Sequence, residues 1–68
     1  MDRLQEIANN WYDGQRYATV EDYNGDAEAY ADDLVDLATE NGWDQGLTDS
    51  QVENIHSRIV RLAQDDMG

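Results

Sequence analysis

The sequence contains no cysteine, no proline, no phenylalanine and no lysine among its 68 residues. Without cysteine there is no disulfide, no thiolate metal ligand and no cysteine nucleophile, so nothing in the composition indicates an oxidising compartment. The chain also lacks a long apolar run and an N-terminal basic stretch followed by an apolar one, which are the patterns of a membrane span and a signal peptide. We therefore expect a cytoplasmic protein.

Positive charge is scarce as well. Four arginines stand against 16 acidic residues, which gives a net charge of −12 and a pI near 4.1. Phosphate backbones and anionic lipid headgroups repel such a chain. Direct binding to nucleic acid or to membranes is therefore disfavoured, and basic protein surfaces are the expected partners.

The sequence offers little apolar material for a core, because leucine, isoleucine and valine total 12 residues. Combined with the high net charge, this composition lies near that of disordered chains. Two tryptophans, four tyrosines and a clear helical periodicity favour a folded chain instead. Since 68 residues suffice for one small core, we predict a single helical domain over residues 1–68.

Apolar residues recur at the spacing of one helix face in three stretches. The first stretch follows Asp2 and the second follows Asp26, and each of these aspartates can cap the helix that it precedes; the second stretch ends at Asn41-Gly42. The third begins with the capping box at 48–51 and runs toward the C-terminus. Residues 15–24 fit both a helical and an alternating pattern, and we favour a short helix there. The predicted fold is all-α, a compact bundle of three long helices plus a short helix.

The acidic residues are concentrated in the middle of the chain. From Tyr17 through Ser57 there is no lysine or arginine, and this span holds 11 of the 16 acids. On the helix after Asp26, four acids at i, i+4 spacing form a row on one face. The row consists of Glu28, Asp32, Asp36 and Glu40. Like charges at this spacing cost roughly 0.2 to 0.5 kcal/mol per pair, so helix stability alone does not favour the row.

The spacing of these charges resembles that of a nucleic-acid strand. A helix from Asp26 to Glu40 is about 22 Å long, so its six acids give one charge per ~4 Å, against ~3.4 Å between phosphates along one DNA strand. A groove that tracks phosphates with Lys and Arg would attract this face. The predicted partner-binding residues are Glu21, Asp22, Asp26, Glu28, Asp32, Asp33, Asp36 and Glu40, with Tyr23 and Trp43 adding apolar contact.

Two other interpretations explain the same acidity. A charge run is often only a solvated face. The excess of aspartate over glutamate and the absence of lysine also resemble proteins of salt-loving organisms, in which case the chain is a small acidic structural or interaction module without nucleic-acid mimicry. The response of stability to salt distinguishes these interpretations. Repulsion between the acids of the chain is largely screened once the Debye length falls to ~10 Å near 0.1 M salt. A fold that keeps gaining stability into molar KCl would indicate salt adaptation.

No catalytic, metal or cofactor site is predicted. His56, the single histidine, falls within the apolar stripe of the last helix and has no neighbours at the spacing of a triad or zinc site. The segment 22–26 resembles the start of a calcium loop, but Ala27 stands where glycine is required and Asp33 where a bidentate glutamate is required. We therefore expect a binding protein and not an enzyme, without cofactors. Aromatic residues near the acidic tract would also allow a homodimer.

Size, acidity, helicity and the row of Glu28, Asp32, Asp36 and Glu40 resemble the small acidic inhibitors made by bacteriophages, including DNA-mimic anti-CRISPR and anti-restriction proteins. The resemblance is to this type of molecule and includes no sequence motif. It implies a stoichiometric viral inhibitor in the host cytoplasm. Such an inhibitor would occupy the basic nucleic-acid groove of a bacterial defence complex, such as a CRISPR effector, and block DNA binding.

Overall fold

Three helices make up the fold in the computed structural model, which describes residues 2–14 and 23–67. They are α1 (Arg3–Gly14), α2 (Ala27–Glu40) and α3 (Asp49–Met67), and the described residues contain no strand. The predicted all-helical fold with three long helices is confirmed. The short helix predicted over residues 15–24 is not among the three. Positions 15–22 lie outside the described residues, and Tyr23 and Asn24 belong to a turn before α2.

Each helix begins at a polar cap, as the sequence predicts. The carboxylate of Asp2 accepts the backbone N–H two residues on at 2.8 Å, and that of Asp26 accepts the N–H three residues on at 3.1 Å. At the start of α3, the Thr48 hydroxyl accepts the Gln51 N–H at 3.2 Å, and the Gln51 side chain accepts the Thr48 N–H at 2.9 Å. This reciprocal pair is a capping box, which satisfies two N–H groups that have no partner within the helix.

The end of α2 is closed by a Schellman motif. Gly42, at φ +74°, donates its N–H to the Thr39 carbonyl at 3.1 Å, and Trp43 donates its N–H to the Ala38 carbonyl at 2.8 Å. Glycine suits this position because it adopts positive φ without a steric cost. The motif turns the Trp43 indole back toward α1, where its ring centroid lies 6.5 Å from that of Trp11.

Helix α3 packs along both other helices, while α1 and α2 contact each other less. The buried apolar residues are Ala8, Trp11, Ala27, Tyr30, Ala31, Leu34, Ala38, Ile55, Ile59 and Ala63. Half of them are alanines, which let helices approach closely but bury little apolar area. Among the described residues, the large side chains that are fully buried are Leu34, Ile55 and Ile59, each contributing about 1.5 to 3 kcal/mol. Partly buried apolar side chains, such as Leu4, Ile7 and Leu62, pack against this core.

The described chain is compact and amphipathic. Its radius of gyration is 11.1 Å, close to the roughly 11 Å expected for a compact domain of this length. Polar contacts join α1 to α3 at two levels, because Arg58 donates to Gln5 at 3.0 Å and the Tyr12 hydroxyl donates to Asp66 at 2.8 Å. None of the helices in the described ranges combines the length and the apolar content that crossing a bilayer requires.

Candidate binding surface

The acidic row of α2 lies on the solvent side of the helix. All four of its members are exposed, and so is Asp33. The buried positions of α2 follow the opposite face at helical spacing, which is why the row points outward. The members of the row are Glu28, Asp32, Asp36 and Glu40. Within the described part of the chain, one ion pair involves this row, and its partner is a histidine.

That histidine is His56, on α3. Its Nε2 lies 2.6 Å from Oδ1 of Asp32, so the pair joins α3 to α2. The His56 side chain is 24 % exposed and that of Asp32 is 67 % exposed. The position at the edge of the apolar stripe agrees with the sequence pattern, but the carboxylate partner was not predicted. Asp32 is therefore directed toward α3, whereas Glu28 and Glu40 at the ends of the row make no such bond to another helix within residues 2–14 and 23–67.

An open groove of about 480 Å³ runs between α2 and α3 beside this pair. Its lining residues are Asp32, Val35, Asp36, Val52, Glu53 and His56. Half-buried Val35 and Val52 supply the apolar part of the groove, and the three carboxylates supply the charge. Glu53 was not among the predicted site residues. It joins the site because the short connection from 41 to 48 brings α3 back alongside α2.

The other predicted binding residues divide into four groups. Asp26 is exposed but serves as the N-cap of α2. Tyr23 is half-buried and packs edge-on against Tyr30, with ring centroids 5.5 Å apart, so it belongs to the aromatic packing of the bundle. Trp43 keeps 42 % of its surface exposed despite its contact with Trp11, which leaves an apolar side chain at the surface. Glu21 and Asp22 lie outside the described residues.

The groove offers charge without the geometry of a metal centre. Across residues 2–14 and 23–67, no three His, Cys, Asp or Glu side chains are grouped so that they could hold a metal ion. The three carboxylates can instead accept hydrogen bonds from a larger cationic group. The arrangement suits recognition of a cationic side chain.

A second groove, on the other side of α3, has the opposite character. It measures about 280 Å³ and is lined by Gln5, Asn54, Ser57, Arg58 and Arg61. Here the charge of Arg58 is bonded within the molecule. The Arg58 guanidinium donates to Asn54 at 2.6 Å, to Gln5 at 3.0 Å and to the Asp2 carboxylate at 3.0 Å. The hydrogen bond from the Leu4 N–H, together with Arg58, holds the pKa of Asp2 below its usual range.

Comparison with known proteins adds no relative to this description. No protein-family model matches the chain, and neither curated proteins nor solved structures show a significant similarity to it. Any function must therefore be argued from the surface itself. Its distinguishing feature is the exposed carboxylate row of α2 with the adjoining groove.

Proposed function

We propose that this protein is an acidic DNA-mimic inhibitor of the anti-CRISPR or a similar anti-defence type. It binds the Lys- and Arg-lined nucleic-acid groove of a bacterial defence complex in the host cytoplasm and prevents DNA from binding there. The supporting observation is the exposed row of Glu28, Asp32, Asp36 and Glu40. Among the described residues, no arginine forms an ion pair with a member of this row. Inhibition is stoichiometric and needs no catalytic step.

Electrostatics links the row to this function. Residues at i, i+4 spacing rise ~6 Å along the helix, and Asp33 and Glu53 add further exposed charge beside the row. A basic groove attracts such a face over the same range as it attracts phosphates. Because the acidic face itself repels DNA, the two ligands cannot share the groove. Competition therefore follows from charge alone, with apolar contact from exposed Trp43 adding affinity.

The cost of the row to the stability of α2 also supports a role in binding. Three like-charge pairs in the row each cost roughly 0.2 to 0.5 kcal/mol. A surface selected for stability alone would place lysine or arginine between the acids. A row that costs stability is expected where the charge serves a partner.

A charge-reversal series tests the proposal. The row variant combines Glu28→Lys, Asp36→Lys and Glu40→Lys, and omits Asp32 because that residue bonds His56. The control variant carries the same charge change at exposed acids of α1 and α3, namely Glu6→Lys, Asp13→Lys and Asp65→Lys. Like charges across an interface cost several kcal/mol, so the row variant should bind its target roughly a hundredfold more weakly. The control variant should retain most of its binding.

The readout is phage plating on bacterial strains with an active CRISPR or restriction system. Expression of the wild-type protein should restore plating in a susceptible strain, the row variant should not, and the control variant should. Competition with labelled DNA for the purified defence complex then measures the loss of affinity directly. If both variants lost the same affinity, the net charge of the protein, and not the position of the row, would account for binding. Failure of the wild-type protein to relieve any such system would contradict the proposal.

A further inference from the structure

We propose that the groove between α2 and α3 receives an arginine side chain of the partner protein, an inference that rests on the proposed function and names the contact within it. The groove is open, has a volume of about 480 Å³, and lies between two helices that each contribute a valine and at least one carboxylate. That volume falls within the roughly 300 to 1,000 Å³ of ordinary ligand pockets. It combines an apolar surface with charge of one sign.

Arginine matches both properties of the groove. Its aliphatic stem packs on apolar surface while its guanidinium stays at the polar edge, so Val35 and Val52 suit the stem. Its planar fork pairs with carboxylates through parallel N–H bonds, which a lysine ammonium does not reproduce. Asp36 and Glu53, one from each helix, are the exposed carboxylates of the groove that have no cross-helix bond among the described residues.

His56 sets the position of the arginine within the groove. Its imidazole is bonded to Asp32 at 2.6 Å and occupies that end of the groove. The guanidinium is therefore directed to the other two carboxylates, Asp36 and Glu53. The outer acids Glu28 and Glu40 are exposed, and neither is among the residues that line this groove. They attract a basic partner at a distance, whereas the groove fixes one of its side chains.

Binding of a defined probe tests the groove without knowledge of the natural target. The probe is a short amidated helical peptide with arginine and leucine on one face, and its counterpart has glutamate in place of arginine. The groove variant is Asp36→Asn with Glu53→Gln. Its matched control, Glu28→Gln with Glu40→Gln, removes the same charge outside the groove. We expect the groove variant to bind the arginine peptide about tenfold more weakly and the control variant less than about threefold more weakly.

A second pair of variants tests the groove without relying on the substitutions to asparagine and glutamine. His56→Arg places a permanent cation in the groove and should abolish peptide binding. Ser57→Arg adds the same side chain at an exposed position of the Arg58 groove and should leave binding nearly unchanged. In NMR titrations of the wild-type protein, the amide signals of Val35 and Val52 should shift with the arginine peptide and not with its glutamate counterpart.

The inference is overturned if the two double variants lose equal affinity, if His56→Arg and Ser57→Arg bind alike, or if the shifted signals lie outside the groove. Plating assays separate its failure from failure of the proposed function. If the α2 row variant loses inhibition while Asp36→Asn with Glu53→Gln inhibits like wild type, the proposed function stands and the arginine contact is rejected. If the wild-type protein relieves no defence system, the proposed function is rejected while the peptide titration still decides the groove.

Discussion

Helix α3 carries a groove on each side, and the two grooves use charge in opposite ways. On the α1 side, the Arg58 guanidinium bonds to Gln5, Asn54 and Asp2, so its charge is spent within the molecule and ties two helices together. On the α2 side, Asp36 and Glu53 remain exposed. In the first groove Arg58 ties two helices together, whereas in the second one carboxylate bonds His56 and the other two stay at the surface. Carboxylates that form no bond within the fold remain accessible to a partner.

The largest effect on stability is expected at Arg58. Arg58→Met keeps an unbranched apolar stem but loses the bonds to α1, so the free energy of unfolding should fall by about 1 to 2 kcal/mol. On the α2 side, His56→Gln should change it by less than about 0.5 kcal/mol, because a partly exposed pair contributes little. Urea unfolding followed by circular dichroism measures both. Equal effects would show that the two grooves do not differ in their contribution to stability.

A smaller effect of opposite sign is expected at the C-terminal end of the row. Glu40→Lys removes the repulsion with Asp36, replaces it with an attractive i, i+4 pair, and places a cation at the helix C-terminus. The free energy of unfolding should rise by about 0.5 to 1 kcal/mol. Glu28→Lys is the matched control, since it also relieves repulsion but puts a cation near the helix N-terminus, where the dipole opposes it. Thermal unfolding should therefore show a higher midpoint for Glu40→Lys and little change for Glu28→Lys. Equal gains would mean that net charge, and not position, governs the stability of α2.

The helices and the row were predictable because they depend on local pattern. The caps at Asp2, Asp26 and Thr48 are recognisable from residue type and spacing. The row follows from the ~100° turn per residue, which also fixes the buried face. The secondary structure of residues 15–24 was harder to predict, because their apolar positions fit both a helical and an alternating pattern.

The groove was not predictable, because it depends on how α3 is rotated against α2. Asp32 and His56 are 24 positions apart in sequence, and their contact is set by packing of buried side chains such as Leu34 and Ile55. A rotation of α3 by one residue would turn Glu53 away from the groove. Helical periodicity gives the face of each helix but not the register between two of them.

The smallest of the expected effects concerns acid pH and the charge network on the α1 side. The Leu4 N–H is the main cause of the lowered pKa of Asp2, and Arg58 adds to it. A carboxylate with a lowered pKa in the folded state stabilises the fold above its ordinary pKa of roughly 3.9, and this contribution is lost as pH falls through the lowered value. Asp2→Asn keeps a capping side chain but not the charge. Its urea midpoint should lie below that of the wild type at neutral pH, and the two should converge below about pH 4.

The matched control for this prediction comes from the α2 side. Asp33→Asn makes the same change at an exposed acid that lies among like charges. Because it removes repulsion instead of an attractive contact, it should raise the urea midpoint at neutral pH, opposite in sign to Asp2→Asn. A constant gap between Asp2→Asn and the wild type from pH 7 to pH 3 would mean that Asp2 acts only as a neutral cap. Destabilisation by Asp33→Asn would mean that the acids of α2 are held by internal contacts, and the contrast between the two sides of α3 would then fail.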